Sequence, residues 1–174
     1  MLSGDTPFLL LDDARVCGAA PARLYRDPVE IITACTLAEV GPALDRLRSE
    51  TRHVAGFLSY EAGFALEERL ADLPVQGGFP LLWFGVFDGF TPVAAEDVST
   101  LLPDPVGGWA SAPKPVAPRA TYSAAFDKVK AYIEAGDFYQ VNLSMRAEAL
   151  VAGHPLALYA GLRQRAQAGY GGVI

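Results

Sequence analysis

The chain has 174 residues, of which 51% are hydrophobic and 20% charged, and its net charge is −6. This length supports one full domain or slightly more, able to bury roughly 70% of the surface that the unfolded chain exposes. The composition excludes collagen, coiled coil and wholesale disorder, and an acidic chain without a basic stripe is a poor partner for nucleic acid. The longest apolar run, residues 79–87, is too short to span a bilayer. No Lys or Arg precedes Arg15, so there is no positive n-region of a secretory signal. Cys17 and Cys35 form no CxxC or framework pattern and read as reduced thiols, which points to the cytoplasm. A mean hydropathy of +0.21 is high for a soluble protein and suggests apolar surface that awaits a partner or further chain.

In chain order, residues 7–12 (PFLLLD) read as a buried strand. Residues 24–36 read as strand, turn and strand, with Asp27-Pro28 as the turn. Thr36 and Glu39 have the spacing of a capping box, and Leu37, Val40, Leu44 and Leu47 recur at helical spacing. Because Pro42 would remove a hydrogen bond inside that helix, the start is expected at Gly41, with Pro42 in the first turn. Residues 53–59 and 80–87 are the next strands, and residues 64–73 form a short acidic helix between them. Residues 91–118 hold 6 of the 13 prolines and read as an extended linker, separating a sheet domain over 1–90 from a second part over 119–174. Thr121 is the expected N-cap of a helix that carries Tyr122, Phe126, Val129 and Ile133 on one face and ends at Gly136. Residues 138–147 then alternate apolar and polar, which predicts a strand with Gln140, Asn142, Ser144 and Arg146 on one face. A helix over 155–165 follows. The sequence closes on the apolar, strand-like residues 170–174, as expected of a piece of a longer fold.

Few side chains offer catalytic chemistry. His53, at a strand start, and His154, at a helix entry, read as structural or surface residues, and no GxSxG elbow is present. Neither His nor Cys residues have metal-ligand spacing, and Glu61, Glu67 and Glu68 read as a solvated helix face. The glycines at 169, 171 and 172 neither follow a strong strand nor open a helix, so they are not read as a phosphate loop. The polar ladder from Gln140 to Arg146 is the best candidate binding floor. Its amides and guanidinium suit carboxylates and hydroxyls, and a strand would hold them rigidly. A sheet face wetted by solvent is the plainer account of the same pattern.

The stretch Tyr132-Ile-Glu-Ala-Gly-Asp-Phe-Tyr-Gln-Val-Asn-Leu-Ser-Met-Arg146 resembles the I-x-x-G-D-[IFC]-[YF]-Q-V-N-L-[ST]-x-R stretch of the chorismate-utilising enzymes. Within them it is most similar to component I of aminodeoxychorismate synthase. The segments PFLLLDDA from Pro7, RLYRDPVE from Arg23, GFLSYEAG from Gly56 and HPLALY from His154 look like further parts of that family, so the resemblance covers nearly the whole chain. It implies an α+β fold of large, mostly antiparallel sheets packed face to face with helices outside, as in anthranilate synthase component I, and incomplete in this chain. The implied reaction is amination of chorismate to 4-amino-4-deoxychorismate in folate and p-aminobenzoate biosynthesis. Ammonia would come from a glutamine amidotransferase partner, and Mg²⁺ would be the cofactor.

The family's catalytic lysine motif and Mg²⁺-binding glutamates have no match here, and they are expected in a C-terminal part outside these residues. Lys114, Lys128 and Lys130 are not credible nucleophiles, because an exposed lysine keeps a pKa near 10.4. This chain alone is therefore expected to be inactive. By resemblance Gln140 approaches the substrate, with Asn142 as its companion. A tryptophan pocket of the relatives would fall at Leu11, Asp12, Asp13 and Tyr170. There the sequence departs from the family pattern, with Asp13 in place of a serine and an asparagine and two prolines missing before Tyr170. The alternatives are an anthranilate synthase component I and a non-catalytic amino-acid-binding module.

Overall fold

The computed structural model describes residue 2 and residues 6–75 and 78–174. Its largest sheet is antiparallel and has the order β11-β1-β2-β6, built from β1 (Phe8–Asp12), β2 (Ala22–Arg26), β6 (Thr91–Val93) and β11 (Gly171–Val173). A second antiparallel sheet has the order β3-β5-β4, from β3 (Glu30–Ala34), β4 (His53–Leu58) and β5 (Leu82–Phe87). Two short ribbons complete the strands: β7 (Gly108–Ala110) with β10 (Val151–Gly153), and β8 (Lys114–Pro115) with β9 (Ala147–Glu148). The helices are α1 (Leu37–Arg48), the single turn α2 (Val98–Leu101), α3 (Arg119–Ala135) and α4 (Pro155–Ala166). The chain is thus a mixed α/β structure with antiparallel sheets.

Side-chain alternation along β1 explains how these pieces assemble, because successive residues of a strand face opposite ways. Leu10 points to one side and joins Leu24, Val98, Leu102, Leu156 and Ala160, which packs α2 and α4 onto the large sheet. Leu9 points to the other side and meets Tyr25, Ala55 and Phe87, so the two sheets touch face to face there. The outer face of the second sheet buries Ile32, Ala34, Leu82 and Val86 against Val40 and Ala43 of α1. The Asp27-Pro28 turn falls between β2 and β3 as expected, with Asp27 at φ +55°, and it carries the chain from one sheet to the other.

Four local expectations are corrected. Helix α1 starts at Leu37, not Gly41, because the Glu39 carboxylate accepts the N–H groups of Thr36 (3.0 Å) and Cys35 (2.7 Å) and stabilises the earlier turn. Pro42 then sits inside the helix, where it forfeits a single hydrogen bond to the Ala38 carbonyl. Residues 64–73 are not one helix. They run from the end of one 3₁₀ turn, Tyr60–Ala65, through a second, Glu68–Leu70, each capped separately, by the Ser59 hydroxyl and the Glu67 carboxylate. Helix α3 begins at Arg119 rather than after Thr121, because the Pro118 carbonyl already accepts from Thr121 N–H (3.0 Å) and Tyr122 N–H (3.3 Å). It ends as expected at Gly136, whose φ of +82° suits a residue without a side chain.

The fourth correction concerns residues 138–147. Only Ala147 enters a strand, and residues 138–146 are irregular. A strand needs a hydrogen-bonding partner along its length. Its only neighbour among the described residues, β8, is two residues long, and one further bond joins Val116 N–H to the Arg146 carbonyl (3.0 Å). Beyond that, α3 carries the opposing chain away. The face of α3 with Phe126, Tyr132 and Ile133 stays open as well.

Leu10 and Leu82 are completely buried, one in each of the two larger cores. Leu10→Ala and Leu82→Ala are each expected to cost about 2–5 kcal/mol in urea denaturation. A loss under 1 kcal/mol at either position would contradict the packing described.

Candidate functional site

The candidate site lies where β1 meets the chain's last strand. Pairing is antiparallel, with Leu11 opposite Gly172 and Asp12 opposite Gly171, and on the other side Leu11 stands opposite Arg23 of β2. Residues directly opposite share a face. Gly172, Leu11 and Arg23 therefore form a row across three strands, on the side that carries Leu9 against the second sheet. Beyond that contact the row opens into a cavity of about 660 Å³, bordered also by Asp13, Arg15 and Tyr170.

Asp12 projects to the opposite side of the strand, toward α4. Its side chain is 1% exposed. A buried carboxylate needs a cation and hydrogen bonds. Arg163 Nε donates to Asp12 Oδ2 at 2.6 Å, Arg163 Nη2 to Oδ1 at 3.3 Å, and Tyr159 Oη to Oδ2 at 3.0 Å. The two partners lie four residues apart on α4 and so share a helix face. Arg163 also donates to the Ala95 carbonyl (3.1 Å), tying in the segment after β6. Burial, and then the negative charge of Asp12, pushes the Tyr159 phenol well above its ordinary value, so it remains a donor.

Asp13 organises the loop after β1. It accepts from Arg15 Nη2 (2.6 Å), Arg15 Nε (3.0 Å) and the Ala20 N–H (2.9 Å). The Arg15 side chain and the Ala20 N–H hold its carboxyl well below the usual carboxylate range. Arg15 itself lies against Gly169, where an added Cβ would approach its Nε to 3.2 Å. The Ala14 N–H donates to the Ala168 carbonyl at 2.9 Å, so the loop is fastened to the segment leading into β11. Arg23 has no ion-pair partner among the described residues, and its guanidinium lies 5.2 Å from the centre of the Phe90 ring.

Leu11, Asp12, Asp13 and Tyr170, singled out from sequence, thus border one cavity. Gln140 and Asn142 lie elsewhere, exposed on the irregular segment after α3, and their side chains make no hydrogen bond among the described residues. His154 caps α4, its Nδ1 accepting from the Leu156 N–H at 3.1 Å, and His53 is exposed with its ring edge-on to Phe90. Among the described residues no three His, Cys, Asp or Glu side chains converge. Lys114, Lys128 and Lys130 are all exposed. Sequence reasoning missed Arg15, Arg23, Tyr159 and Arg163. A buried Asp in an apolar strand does call for a cation, but sequence does not say which of the 11 arginines supplies it.

Comparison with known families supplies the deciding observation. The profile described as chorismate binding enzyme matches residues 19–174. The chain belongs to the chorismate-binding enzyme family. No curated protein sequence matches it. The family match begins after β1, so Leu11, Asp12 and Asp13 lie outside the matched span, while Arg23, Arg163 and Tyr170 lie inside it. Among the described residues no helix is long and apolar enough to cross a membrane.

Removing one partner of a buried ion pair strands the other charge. Arg163→Met is therefore expected to destabilise the protein by about 3–5 kcal/mol, and Asp12→Asn combined with Arg163→Met by less than Arg163→Met alone. A double-mutant cycle in urea measures this. For Asp13, the depressed native pKa means that its contribution is present above the unfolded value near 3.9 and lost as pH falls below it. Asp13→Asn should lower stability at pH 7 and flatten the acid side of the stability profile below about pH 4. Parallel profiles for the two proteins would show that Asp13 is not held as described.

Proposed function

We propose that this chain is part of a cytoplasmic chorismate-aminating enzyme of the aminodeoxychorismate synthase component I type. The family match carries the reading, together with the segment from Gly136 to Arg146 (GDFYQVNLSMR) inside the matched span. In the proposed reaction ammonia replaces the 4-hydroxyl group of chorismate, releasing water and giving 4-amino-4-deoxychorismate. A glutamine amidotransferase would supply the ammonia. Mg²⁺ would neutralise substrate carboxylates, through ligands that lie outside the residues described here. The Gln140 and Asn142 amides suit hydrogen bonds to the carboxylates and hydroxyl of chorismate, and we assign them the substrate-proximal role.

The cavity beside β1 favours a second role for the same chain, as the part of the enzyme that binds a small effector. It lies apart from Gln140 and Asn142 in the sequence and draws on different elements. On this reading residues 1–90 form the effector-binding sheet domain, completed by β6 and β11, with residues 91–118 as the connection and residues 119–174 as the beginning of the chorismate-binding part, whose last strand closes the cavity.

The test is product analysis by liquid chromatography after incubation with chorismate, an ammonium salt and Mg²⁺. The protein that carries this chain together with the remaining family elements should form 4-amino-4-deoxychorismate, and Gln140→Ala in it should reduce kcat/KM by about tenfold or more. The 174-residue chain alone should give no product. Anthranilate with release of pyruvate would replace this reading with anthranilate synthase, and turnover by the 174-residue chain alone would overturn the placement of the catalytic groups elsewhere.

A further inference from the structure

We infer that the cleft between α4 and the β7–β10 ribbon is a binding site for a flat apolar carboxylate, with Arg165 as its anion anchor. The cleft shares no lining residue with the cavity beside β1, and the inference does not depend on which product the enzyme makes.

Two glycines shape the cleft. In the ribbon Gly108 stands opposite Gly153 and Ala110 opposite Val151, so these four share one face and Trp109 takes the other. That face is turned to α4, since a Cβ at Gly108 would come within 2.6 Å of the Leu158 backbone N and 3.1 Å of Leu158 Cγ. Ribbon and helix therefore touch at Gly108, which narrows the cleft there. On α4, Leu158, Gly161, Leu162 and Arg165 are spaced three and four residues apart and form one stripe. Gly161 leaves the middle of that stripe bare. Apart from neighbouring helix backbone, a Cβ there would meet only Pro105 Cβ, at 3.8 Å. The resulting space is about 330 Å³, inside the range of roughly 300–1,000 Å³ that small-molecule pockets occupy.

The lining decides the class of ligand. Val151 on the ribbon is 66% exposed and Leu162 on the helix 64%, so apolar side chains face solvent on both walls. No Asp or Glu borders the cleft, and its one charged residue is Arg165. Arg163, in the same turn of α4, is engaged by Asp12. Arg165 has no ion-pair partner among the described residues. The C-terminal end of a helix carries partial negative charge, so a bound anion needs this guanidinium as its partner. A carboxylate suits it, in the two-pronged geometry that Arg favours, and the neighbouring Gln164 amide offers a further donor. An ammonium ligand would find no counter-charge in the lining. A ring placed over Gly161 between Val151 and Leu162, with its carboxylate on Arg165, covers the exposed apolar surface and pairs the cation.

The test titrates 2-naphthoate and its neutral counterpart, 2-naphthalenemethanol, into the isotope-labelled 174-residue protein by NMR, with the Gly108 and Gly161 amide signals locating the site. The acid should shift both signals and bind about tenfold or more tightly than the alcohol. Arg165→Gln should lower the affinity of the acid to that of the alcohol. Gly161→Leu should fill the cleft and abolish binding of both ligands. A helix interior favours Leu over Gly, so this variant keeps its fold, and thermal melts check that for both variants. Equal affinity for the two ligands, shifts confined to residues outside the cleft, acid binding unchanged in either variant, or no binding of the acid would each overturn the inference. None of these outcomes bears on chorismate amination, which is read from products.

Discussion

The carboxylate of Asp12 is the constraint on which the large sheet depends. A charge on a strand that is otherwise apolar can be buried only if a cation reaches it, and Arg163 does so from 151 residues further along the chain. That requirement sets where α4 lies on the sheet, because Tyr159 and Arg163 must both face Asp12. It also helps place β11, which follows α4 closely and pairs with β1. The first and last strands become neighbours through one ion pair and the leucine packing around it.

This arrangement shapes the cavity. Asp12 turns toward α4 while Leu11 turns toward the second sheet, so one strand serves two surfaces. Asp13, one residue on, folds the following loop over Arg15 and pins it to the segment before β11. Asp13 and Arg15 are thereby paired with each other, and Arg23 has no ion-pair partner among the described residues. The family match starts only at residue 19. The wall supplied by β1 is therefore the part of this cavity that the family signature does not describe.

The opposite situation holds for α3 and the segment after it. Their sequence patterns are clear, yet they pack against little of the described chain. Helical hydrogen bonds are satisfied within the helix, so α3 forms with its apolar face open. A strand has no such independence. Its hydrogen bonds must come from a neighbour, and among the described residues the segment 138–146 has only the end of β8 beside it. β1, between two partners, is a strand, whereas the alternating residues 138–146 are irregular where the described chain offers them so few hydrogen-bonding partners.

Local sequence determined most of the elements. The Gly136 stop, the Glu39 cap, the Asp27-Pro28 turn, helix α4 and the strands of residues 7–12, 53–59 and 80–87 all rest on interactions within a few residues, or on strong apolar runs that admit one reading. The segment around Gln140 likewise carried its resemblance to chorismate enzymes in its own letters, and the family match agrees with it at the level of chorismate binding. Leu11, Asp12, Asp13 and Tyr170 could be named from sequence, but not what each does there. Only the tertiary structure decided that Asp12 is engaged by Arg163, that Asp13 is engaged by Arg15, and that Leu11 meets Gly172 and Arg23 across three strands. Burial creates the need for charge pairing, and strand register assigns neighbours. Both are properties of residues far apart in the chain, which no local pattern records.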